Sequence, residues 1–358
     1  MKKLIFAVFF LIFLGLLGLG GFYYWMTNSM NTKIAHGKTN QFIQIQKGTS
    51  PNEIIDKLAS EGIISSPSAV KNYLRFFGDA SRLKAGEYQF DSPISPMQVL
   101  QELEKGEERT IKLTIPEGWT RFEIAKRIAE RFPQNPPMDE KAVLYLMDDV
   151  SLIKDLDPNA KNLEGYLYPS TYSFPKDTKP QDVIKRMVEQ FRKTWKPEWT
   201  LKAQQLGKTN QQIVTIASLI ENESKFDEER GIVSSVIYNR LNKGMALGID
   251  ATNVYIAKML GRWDGTIHKS DIDIDHPYNT RKISGLPPGP ISSASESALE
   301  AAVNPKQTDY IYYVLNVERN DGSHHFYASA AEFERGKQAY QVWLEQQRAK
   351  KREQEANN

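Results

Sequence analysis

Residues 213–240 read IVTIASLIENESKFDEERGIVSSVIYNR, and this stretch carries the strongest chemical signal in the chain. Apolar residues crowd the run before Glu221 and Glu223, and no basic residue stands between the two carboxylates. Apolar surroundings disfavour the charged form of a carboxylate, so its pKa rises toward the range of a general acid. The stretch therefore predicts a helix that ends in one or two candidate catalytic carboxylates.

Helix geometry separates these two carboxylates. Two positions along a helix correspond to about 200° of rotation, so Glu221 and Glu223 point to nearly opposite faces. Glu221 shares its face with the small residues Ala217 and Ser218, whereas Glu223 lies on the bulkier face of Leu219. The pattern favours Glu221 for a cleft. The plain alternative is that one or both are surface groups at a frayed helix end.

Composition excludes several classes of function. The 358 residues hold 46 basic against 44 acidic side chains, so bulk charge gives no case for binding nucleic acid. The absence of cysteine excludes disulfides, a thiol nucleophile and cysteine-ligated metal sites. Neither a Walker motif nor G-x-G-x-x-G nor G-x-S-x-G occurs, so we expect no cofactor.

The N-terminus predicts a membrane anchor. Lys2 and Lys3 precede an uncharged run over residues 4–25, which is long enough to span a bilayer as a helix and ends in interfacial aromatics at Trp25. The lysines predict that residues 1–3 stay in the cytoplasm and that the body is exported to the periplasm, as a single-pass protein of the inner membrane. A cleaved signal peptide is the alternative, but LGLGGFYYWMTNSM has no A-x-A-like site.

A repeated unit follows the anchor. Polar residues 26–41 predict a linker, and region 42–132 contains two strand–turn–helix segments: FIQIQKGTSPNEIIDKLASEG and, seventy residues later, IKLTIPEGWTRFEIAKRIAERF. Gly48 and Gly118 mark the turns, and a capping box follows each of them. The duplicated β-α element resembles LysM-type modules, which bind glycan. A spacer without a ligand remains equally open.

The residues after position 132 are predicted to form the main domain and a short tail. Residues 133–345 alternate helical patterns with loops rich in proline and aromatics, and residues 346–358 form a charged tail. The predicted fold class is α+β, with an N-terminal transmembrane helix, a LysM-like region and a mixed α+β C-terminal catalytic domain.

Short motifs in a fixed order carry a family resemblance. They are LEGYLYPSTYSF (163–174), IASLIENES (216–224), DEERGIVSSVIYNRLNKGMALGIDATNVY (227–255), YNTRKISGLPPGPIS (278–292) and AAVNPKQTDYIYYV with GSHHF (322–326). Together they resemble the endolytic murein transglycosylases, the MltG or YceG-like family. The resemblance covers nearly the whole chain.

The resemblance implies a function for Glu221, the first Glu of the S-[IL]-[IV]-E-x-E run. It implies cleavage of the β-1,4 bond between N-acetylmuramic acid (MurNAc) and N-acetylglucosamine (GlcNAc) in nascent peptidoglycan strands, as a terminase of elongation. Glu221 would protonate the leaving oxygen and then take the proton of the MurNAc C6 hydroxyl, closing a 1,6-anhydro ring without water. The implied partners are glycan strands, penicillin-binding proteins and the elongation machinery. A membrane-tethered scaffold without activity, or a hydrolytic muramidase, are the alternatives.

Further residues in the signature segments are candidates for substrate binding. They are Asn239, Asp250, Tyr278 and Asn279, together with Glu223. Asn239 could equally serve a helix cap or an ion pair, Asp250 could cap the helix that follows it, and the loop at 278–279 could be scaffolding beside the proline-rich turn.

Two other acidic features of the sequence have competing interpretations. Glu164, in the LEG segment, is a second carboxylate worth testing, although a turn role is the simpler interpretation. The aspartates at 271, 273 and 275 suggest a metal loop, but His276 and Lys282 stand where a calcium loop needs Gly and Glu. Their alternation with isoleucine favours a strand or extended edge, so we expect no metal.

Overall fold

The computed structural model describes residues 2–39, 41–106, 110–175 and 178–356. Helices alternate with three two-stranded sheets among these residues, which confirms the predicted α+β class. The chain divides into two compact units, Met1–Ile111 and Lys112–Asn358.

The first helix, α1, runs from Lys2 to Asn31. Its segment Phe9–Asn31 has a mean hydropathy of 1.7 and is long and apolar enough to cross a membrane. The helix continues through the first residues of the predicted linker 26–41, because Met26 and Met30 are each 1% exposed and pack into the core of the first unit. Side chains four positions apart on a helix share a face, so both methionines enter that core together.

The rest of the first unit is a small α+β fold. Its elements are β1 (Ile43–Ile45), α2 (Pro51–Ser60), α3 (Pro67–Phe76), β2 (Gly86–Tyr88) and α4 (Pro96–Lys105). The strands β1 and β2 are antiparallel, with Ile43 opposite Tyr88. Helix α2 begins with the predicted capping box, in which Ser50 and Glu53 each satisfy the other's backbone amide.

The remaining elements belong to the second unit, whose first strand starts at Thr110, two residues before the unit boundary. They are β3 (Thr110–Ile115), α5 (Arg121–Arg131), α6 (Glu140–Leu146), β4 (Ser170–Pro175), α7 (Pro180–Thr194), α8 (Pro197–Gln205), α9 (Asn210–Glu223), α10 (Asp227–Asn242), α11 (Asp250–Met259), α12 (Lys269–Ile272), α13 (Glu296–Val303), β5 (Tyr312–Leu315), β6 (His324–Tyr327) and α14 (Ala330–Ala356). Strand β3 pairs with β4, and β5 pairs antiparallel with β6.

Both copies of the sequence repeat form strand, turn and helix. The turn glycines Gly48 and Gly118 have positive φ angles of 86° and 74°, which other residues rarely adopt. The second copy also has its capping box, between Thr120 and Glu123. The structure divides the predicted region 42–132 after Ile111, because β3 pairs with β4 rather than with a strand of the first copy. The LysM-like interpretation stays a prediction.

Helix α9 lies at the centre of the second unit. All eight residues from Ile213 to Ile220 are buried, and the helix packs against α13, α10 and α11. A capping box of Thr209 and Gln212 begins the helix. A helix buried on every side is fixed in place by its neighbours, so its last turn holds Glu221 in a defined position.

The expected strand around residues 271–275 is wrong. Residues Lys269–Ile272 form the short helix α12 instead. The side chain of Asp271 turns inward and pairs with Arg262 at 2.8 Å, and its backbone carbonyl accepts a hydrogen bond from Asn253. These tertiary contacts, rather than the alternation with isoleucine, decide the local structure.

Candidate active site

Glu221 lies in the last turn of α9 and is bound by an arginine. Arg230 donates from Nη1 to Oε2 at 2.7 Å and from Nη2 to Oε1 at 3.0 Å. The side chains of Glu221 and Arg230 are only 5% and 6% exposed. The expectation of apolar surroundings without a cation is therefore wrong, because α10 packs against α9 and supplies the cation nine residues later. Two parallel bonds fix the orientation of a carboxylate as well as its position.

Ser295 is the second partner of Glu221. Its backbone amide donates to Oε2 at 2.8 Å, and its hydroxyl donates to the same oxygen. Ser295 is also the N-cap of α13, since its side chain accepts a bond from the Ala298 amide at 3.2 Å. Glu221 thus sits at a helix N-terminus, where the helix dipole favours negative charge.

The two oxygens of Glu221 are occupied unequally. Among the described residues Oε2 accepts three hydrogen bonds, one from Arg230 and two from Ser295, whereas Oε1 accepts one. A carboxylate oxygen has two lone-pair positions, so Oε1 retains capacity for a further proton donor. This oxygen is the candidate reactive atom.

Arg230 is itself held by a second carboxylate. Its Nε lies 3.0 Å from Oδ1 of Asp227, close enough for an ion pair although not aligned as a hydrogen bond. Its Nη1 also donates to the Ser295 hydroxyl at 2.7 Å. The guanidinium therefore joins Asp227, Glu221 and Ser295 in one network, which restricts the freedom of each member.

The loop before α13 lines the site next to Asn222. The Asn222 amide donates to Ser292 Oγ at 2.7 Å and to the carbonyl of Ser218 at 2.8 Å. The Ser218 hydroxyl in turn accepts the backbone amide of Ile291 at 3.1 Å. The loop is thus fastened to the same face of α9 that carries Glu221.

The turn of the second repeat packs against this loop. The amide of Gly118 donates to the carbonyl of Ser293 at 2.9 Å, and the amide of Ser293 donates to the carbonyl of Trp119 at 2.8 Å. Glu117, the residue before Gly118, is close enough to Glu221 to feel its charge. Partial burial, and then the negative charge of Glu221, raise the pKa of Glu117.

Sequence reasoning missed Glu117 as a site residue because it lies in the repeat, which was interpreted as a glycan-binding or spacer element. A signal was present at the corresponding turn position, where the first copy has Lys47 and the second has Glu117. Arg230 was also missed, because it follows three acidic residues in the run DEER and nothing in the sequence places it against Glu221.

Glu223 lies apart from Glu221, in accord with the opposite faces predicted for the two residues. Its carboxylate accepts a hydrogen bond of 2.5 Å from the hydroxyl of Tyr313. Burial raises the pKa of Glu223, although the bond from Tyr313 acts in the other direction. The side chain is committed to the contact between α9 and β5, and this geometry gives no support to the predicted substrate contact.

Asn239 and Asp250 also make contacts within the fold. The Asn239 amide donates to the carbonyls of Thr308 and Tyr310 at 2.7 and 2.9 Å, which ties α10 to the segment before β5. Asp250 is the first residue of α11 and accepts a bond of 2.7 Å from Nε of Arg281. Asn239 thus makes neither the helix cap nor the ion pair considered for it, and Asp250 does not cap α11, whose N-cap residue is Ile249. A role of either residue in binding substrate stays a prediction.

Tyr278 and Asn279 belong to the scaffold of the proline-rich loop. The Asn279 side chain is fully buried and donates to the carbonyls of Ile272 and Ile274. The ring of Tyr278 packs 5.0 Å from that of Tyr255, and burial raises the pKa of Tyr278 to about 12. The structure does not bring these two residues into the hydrogen-bond network of Glu221.

Glu164 has a structural role at the start of α5. Its carboxylate is 3% exposed and accepts the backbone amide of Arg121 at 3.0 and 3.1 Å. Burial raises the pKa of Glu164 to about 7, against the effect of the Arg121 amide. The next residue, Gly165, has φ 82°, and a Cβ there would lie 2.5 Å from Pro290. The LEG segment thus forms a turn packed against the loop before α13.

Comparison with known proteins places the chain in a family. The YceG-like family matches residues 43–339. The endolytic murein transglycosylase of Bacillus subtilis is 33% identical over 322 residues, which cover 85% of this chain and 85% of the relative. The protein of the same name from Streptococcus pneumoniae is 32% identical over 339 residues, which cover 87% of this chain and 61% of the relative. The crystal structure of a YceG-like protein from Listeria monocytogenes, 32% identical, has a TM-score of 0.55 and covers 82% of this chain and 98% of that chain.

These matches extend over most of the chain and include every motif of the site. The protein belongs to the YceG-like family, which confirms the resemblance seen in the order of its motifs. Within the described residues, no three His, Asp or Glu side chains converge in a way that could hold a metal ion.

Proposed function

We propose that this protein is an endolytic lytic transglycosylase that cleaves the β-1,4 bond between MurNAc and GlcNAc in peptidoglycan and leaves a 1,6-anhydro-MurNAc end. Membership of a family whose curated relatives are named endolytic murein transglycosylases supports the class of enzyme. The assignment of this activity to Glu221 rests on the orientation of its carboxylate. Among the described residues, its Oε2 accepts three hydrogen bonds and its Oε1 accepts one.

The step that this geometry favours is removal of a proton by Glu221. Oε1 accepts the proton of the MurNAc C6 hydroxyl, the C6 oxygen forms a bond to C1, and the bond from C1 to the GlcNAc O4 breaks as O4 takes up a proton. No water is consumed. Arg230 and Ser295 hold Oε2, so the remaining lone pair of Oε1 is directed without rotation of the carboxylate. The negative charge of Glu221 also stabilises the positive charge that develops at C1.

The anchor defines where the reaction takes place. In our proposal α1 crosses the cytoplasmic membrane once, with its N-terminus inside and the second unit in the periplasm. Lys2 and Lys3 before the apolar segment favour this orientation. Tethering raises the effective concentration of the site near strands that emerge from membrane-bound synthases. We propose that nascent strands are the substrate, that cleavage terminates their elongation, and that penicillin-binding proteins and the elongation machinery are partners.

Mass spectrometry of the products tests the proposal. The full chain in detergent is incubated with purified peptidoglycan beside Glu221→Gln and the control Glu130→Gln, which alters an exposed carboxylate of α5. We expect internal fragments with 1,6-anhydro-MurNAc ends from the wild type and the control, and none from Glu221→Gln. Reducing ends would mean a hydrolytic muramidase. Intact strands that still bind the protein would mean a scaffold, and either result overturns the proposal.

A further inference from the structure

We propose that Glu117 is a second catalytic carboxylate, the general acid that protonates the leaving GlcNAc oxygen, while Glu221 serves as the base. The inference rests on the proposed function and assigns the two proton transfers of that reaction to two residues. The family resemblance implies that Glu221 performs both steps. The geometry of the site separates them.

The first argument is the pattern of hydrogen bonds at Glu221. Among the described residues, four hydrogen bonds are donated to its carboxylate, two of them by a guanidinium and two by Ser295. A protonated carboxyl group needs an acceptor for its own proton, and it loses the charge that a buried arginine requires. This arrangement suits a residue that begins the reaction as a carboxylate, and a proton for the leaving group must then come from another side chain.

The second argument is the placement of Glu117. It precedes Gly118, whose amide binds the carbonyl of Ser293, two residues before the serine that holds Glu221. On the other side of the turn, a Cβ on Gly118 would lie 3.9 Å from Oδ1 of Asn222, the residue next to Glu221 in the sequence. The turn is thus hydrogen-bonded to the loop before α13 and lies close to the last turn of α9.

The third argument is the exposure and electrostatic environment of Glu117. Its side chain is exposed to solvent, so a glycan strand has access to it. The charged groups that act on its pKa are Glu221, Arg230 and Asp227, and Glu117 in turn acts on the hydroxyl of Tyr168. Two of these groups are carboxylates, and both favour the protonated form of Glu117. Arg230 opposes them, but its charge is already engaged by Glu221.

The proton balance of the reaction is complete with these two residues. Glu117 gives its proton to the GlcNAc O4 as the bond from C1 to O4 breaks, and the C6 hydroxyl forms the new bond to C1 while Glu221 takes its proton. Each turnover moves one proton from Glu117 to Glu221. Exchange with solvent restores both residues before the next strand reacts.

Substrates with different leaving groups test this division of roles. The full chain and Glu117→Gln are assayed on glycan strands and on a 4-nitrophenyl glycoside of an oligosaccharide that ends in MurNAc. Nitrophenolate leaves without protonation, so only the natural bond needs the acid. We expect Glu117→Gln to lower kcat on strands by about 100-fold or more and to leave cleavage of the nitrophenyl glycoside within a few-fold of wild type. Glu221→Gln should lose both activities.

The pH profile supplies an independent readout. The acid must be protonated at the start of the reaction, so wild-type activity on strands should fall at high pH, and Glu117→Gln should lack this limb. Glu130→Gln is the matched control for the loss of an exposed carboxylate, and equal thermal unfolding of all variants shows that the fold is kept.

Two results would overturn the proposal. Unchanged activity of Glu117→Gln on strands would exclude an acid role, and an equal loss on both substrates would mean that Glu117 only positions the site. The proposed function is tested separately by the wild type, because a chain that makes no 1,6-anhydro ends on any strand contradicts that function whatever Glu117 does.

Discussion

Arg230 binds Glu221 through two parallel hydrogen bonds of 2.7 and 3.0 Å that join the last turn of α9 to the first turn of α10. Both side chains are almost fully buried. Removal of one member of a buried ion pair leaves the other charge without compensation and costs about 3–5 kcal/mol of stability. The orientation of the candidate catalytic carboxylate and the contact between two central helices therefore depend on the same pair.

The first prediction concerns the shape of the Arg230 side chain. Arg230→Lys keeps the charge but loses the planar fork, so Glu221 is no longer oriented by two bonds. We expect kcat on glycan strands to fall by about 100-fold with a smaller change in KM, since misplacement of a reacting group by about 1 Å has an effect of this size. Steady-state kinetics of strand cleavage measure it.

A matched control exists on α7. Arg192 also forms a two-bond pair, with Asp155, but both partners are exposed. Arg192→Lys makes the same chemical change away from the site and should leave kcat within twofold of wild type. If Arg230→Lys behaves as Arg192→Lys does, the bidentate pair has no part in catalysis.

The second prediction separates the two functions of the Ser295 hydroxyl. Ser295→Ala removes one donor to Glu221 and keeps the backbone amide. A bond to a charged group contributes about 1.5–3 kcal/mol, so we expect kcat to fall by roughly 10- to 100-fold. The same change removes the N-cap of α13, with a loss of about 1 kcal/mol in the free energy of unfolding.

A substitution of Asp139 is the control that removes a helix cap without removing a donor to Glu221. Asp139 caps α6 by accepting the amide of Ala142 at 2.8 Å and has no contact with Glu221. Asp139→Ala should lose a similar amount of stability at full activity. A Ser295→Ala enzyme that is less stable but equally active would show that the hydroxyl serves only α13.

The third prediction concerns the pH dependence of stability at Glu164. Its pKa of about 7 in the fold lies above the ordinary value of 4.5, so the folded chain binds this proton more tightly than the unfolded chain. The resulting stabilisation is complete below pH 4.5 and is lost as the pH rises through 7. Gln does not titrate and can still accept the Arg121 amide.

We therefore expect Glu164→Gln to gain stability relative to wild type between pH 4 and pH 8, by roughly 3 kcal/mol at most. Thermal unfolding followed by tryptophan fluorescence reports on the second unit, which holds five of the six tryptophans. If the difference in stability between the two proteins stays constant from pH 4 to pH 8, Glu164 does not titrate as described.

The fourth prediction tests the contact between Glu223 and Tyr313. Tyr313→Phe leaves a buried carboxylate without its donor, which should lower the free energy of unfolding by about 1–3 kcal/mol at pH 7. The loss should shrink in acid, because burial already raises the pKa of Glu223 and a protonated carboxyl needs less solvation.

The exposed residue Tyr145 is the control, since Tyr145→Phe removes a hydroxyl from the surface of the same unit and should have little effect. Urea unfolding at pH 5 and pH 7 measures both variants. A loss that is the same at the two pH values would contradict a role for the charge of Glu223.

Local patterns in the sequence predicted local structure well. The capping boxes at Ser50 and Thr120 form because their members lie three residues apart, a relationship that the sequence displays directly. The helix that ends at Glu223 was predicted in the same way. The helix over residues 26–31 was missed, although Met26 and Met30 have the spacing of one helical face.

Tertiary partners were not predictable from these patterns. Nothing in the spacing of Glu221 and Arg230 requires that the chain turn between α9 and α10 and place the guanidinium against the carboxylate. The link from Gly118 to Ser293 joins residues 175 positions apart in the sequence. The family resemblance identified Glu221 as the candidate, but only the fold indicates which groups surround it.

The two methionines at the end of α1 have a practical consequence for shortened forms of this protein. A soluble chain that begins at residue 30 lacks Met26, which fills part of the core of the first unit. Loss of one buried methionine costs about 2–5 kcal/mol, a large part of the stability of a small domain. Cutting the protein from the membrane at this point therefore also removes a piece of its interior. The first unit is complete only while it keeps the end of its own anchor.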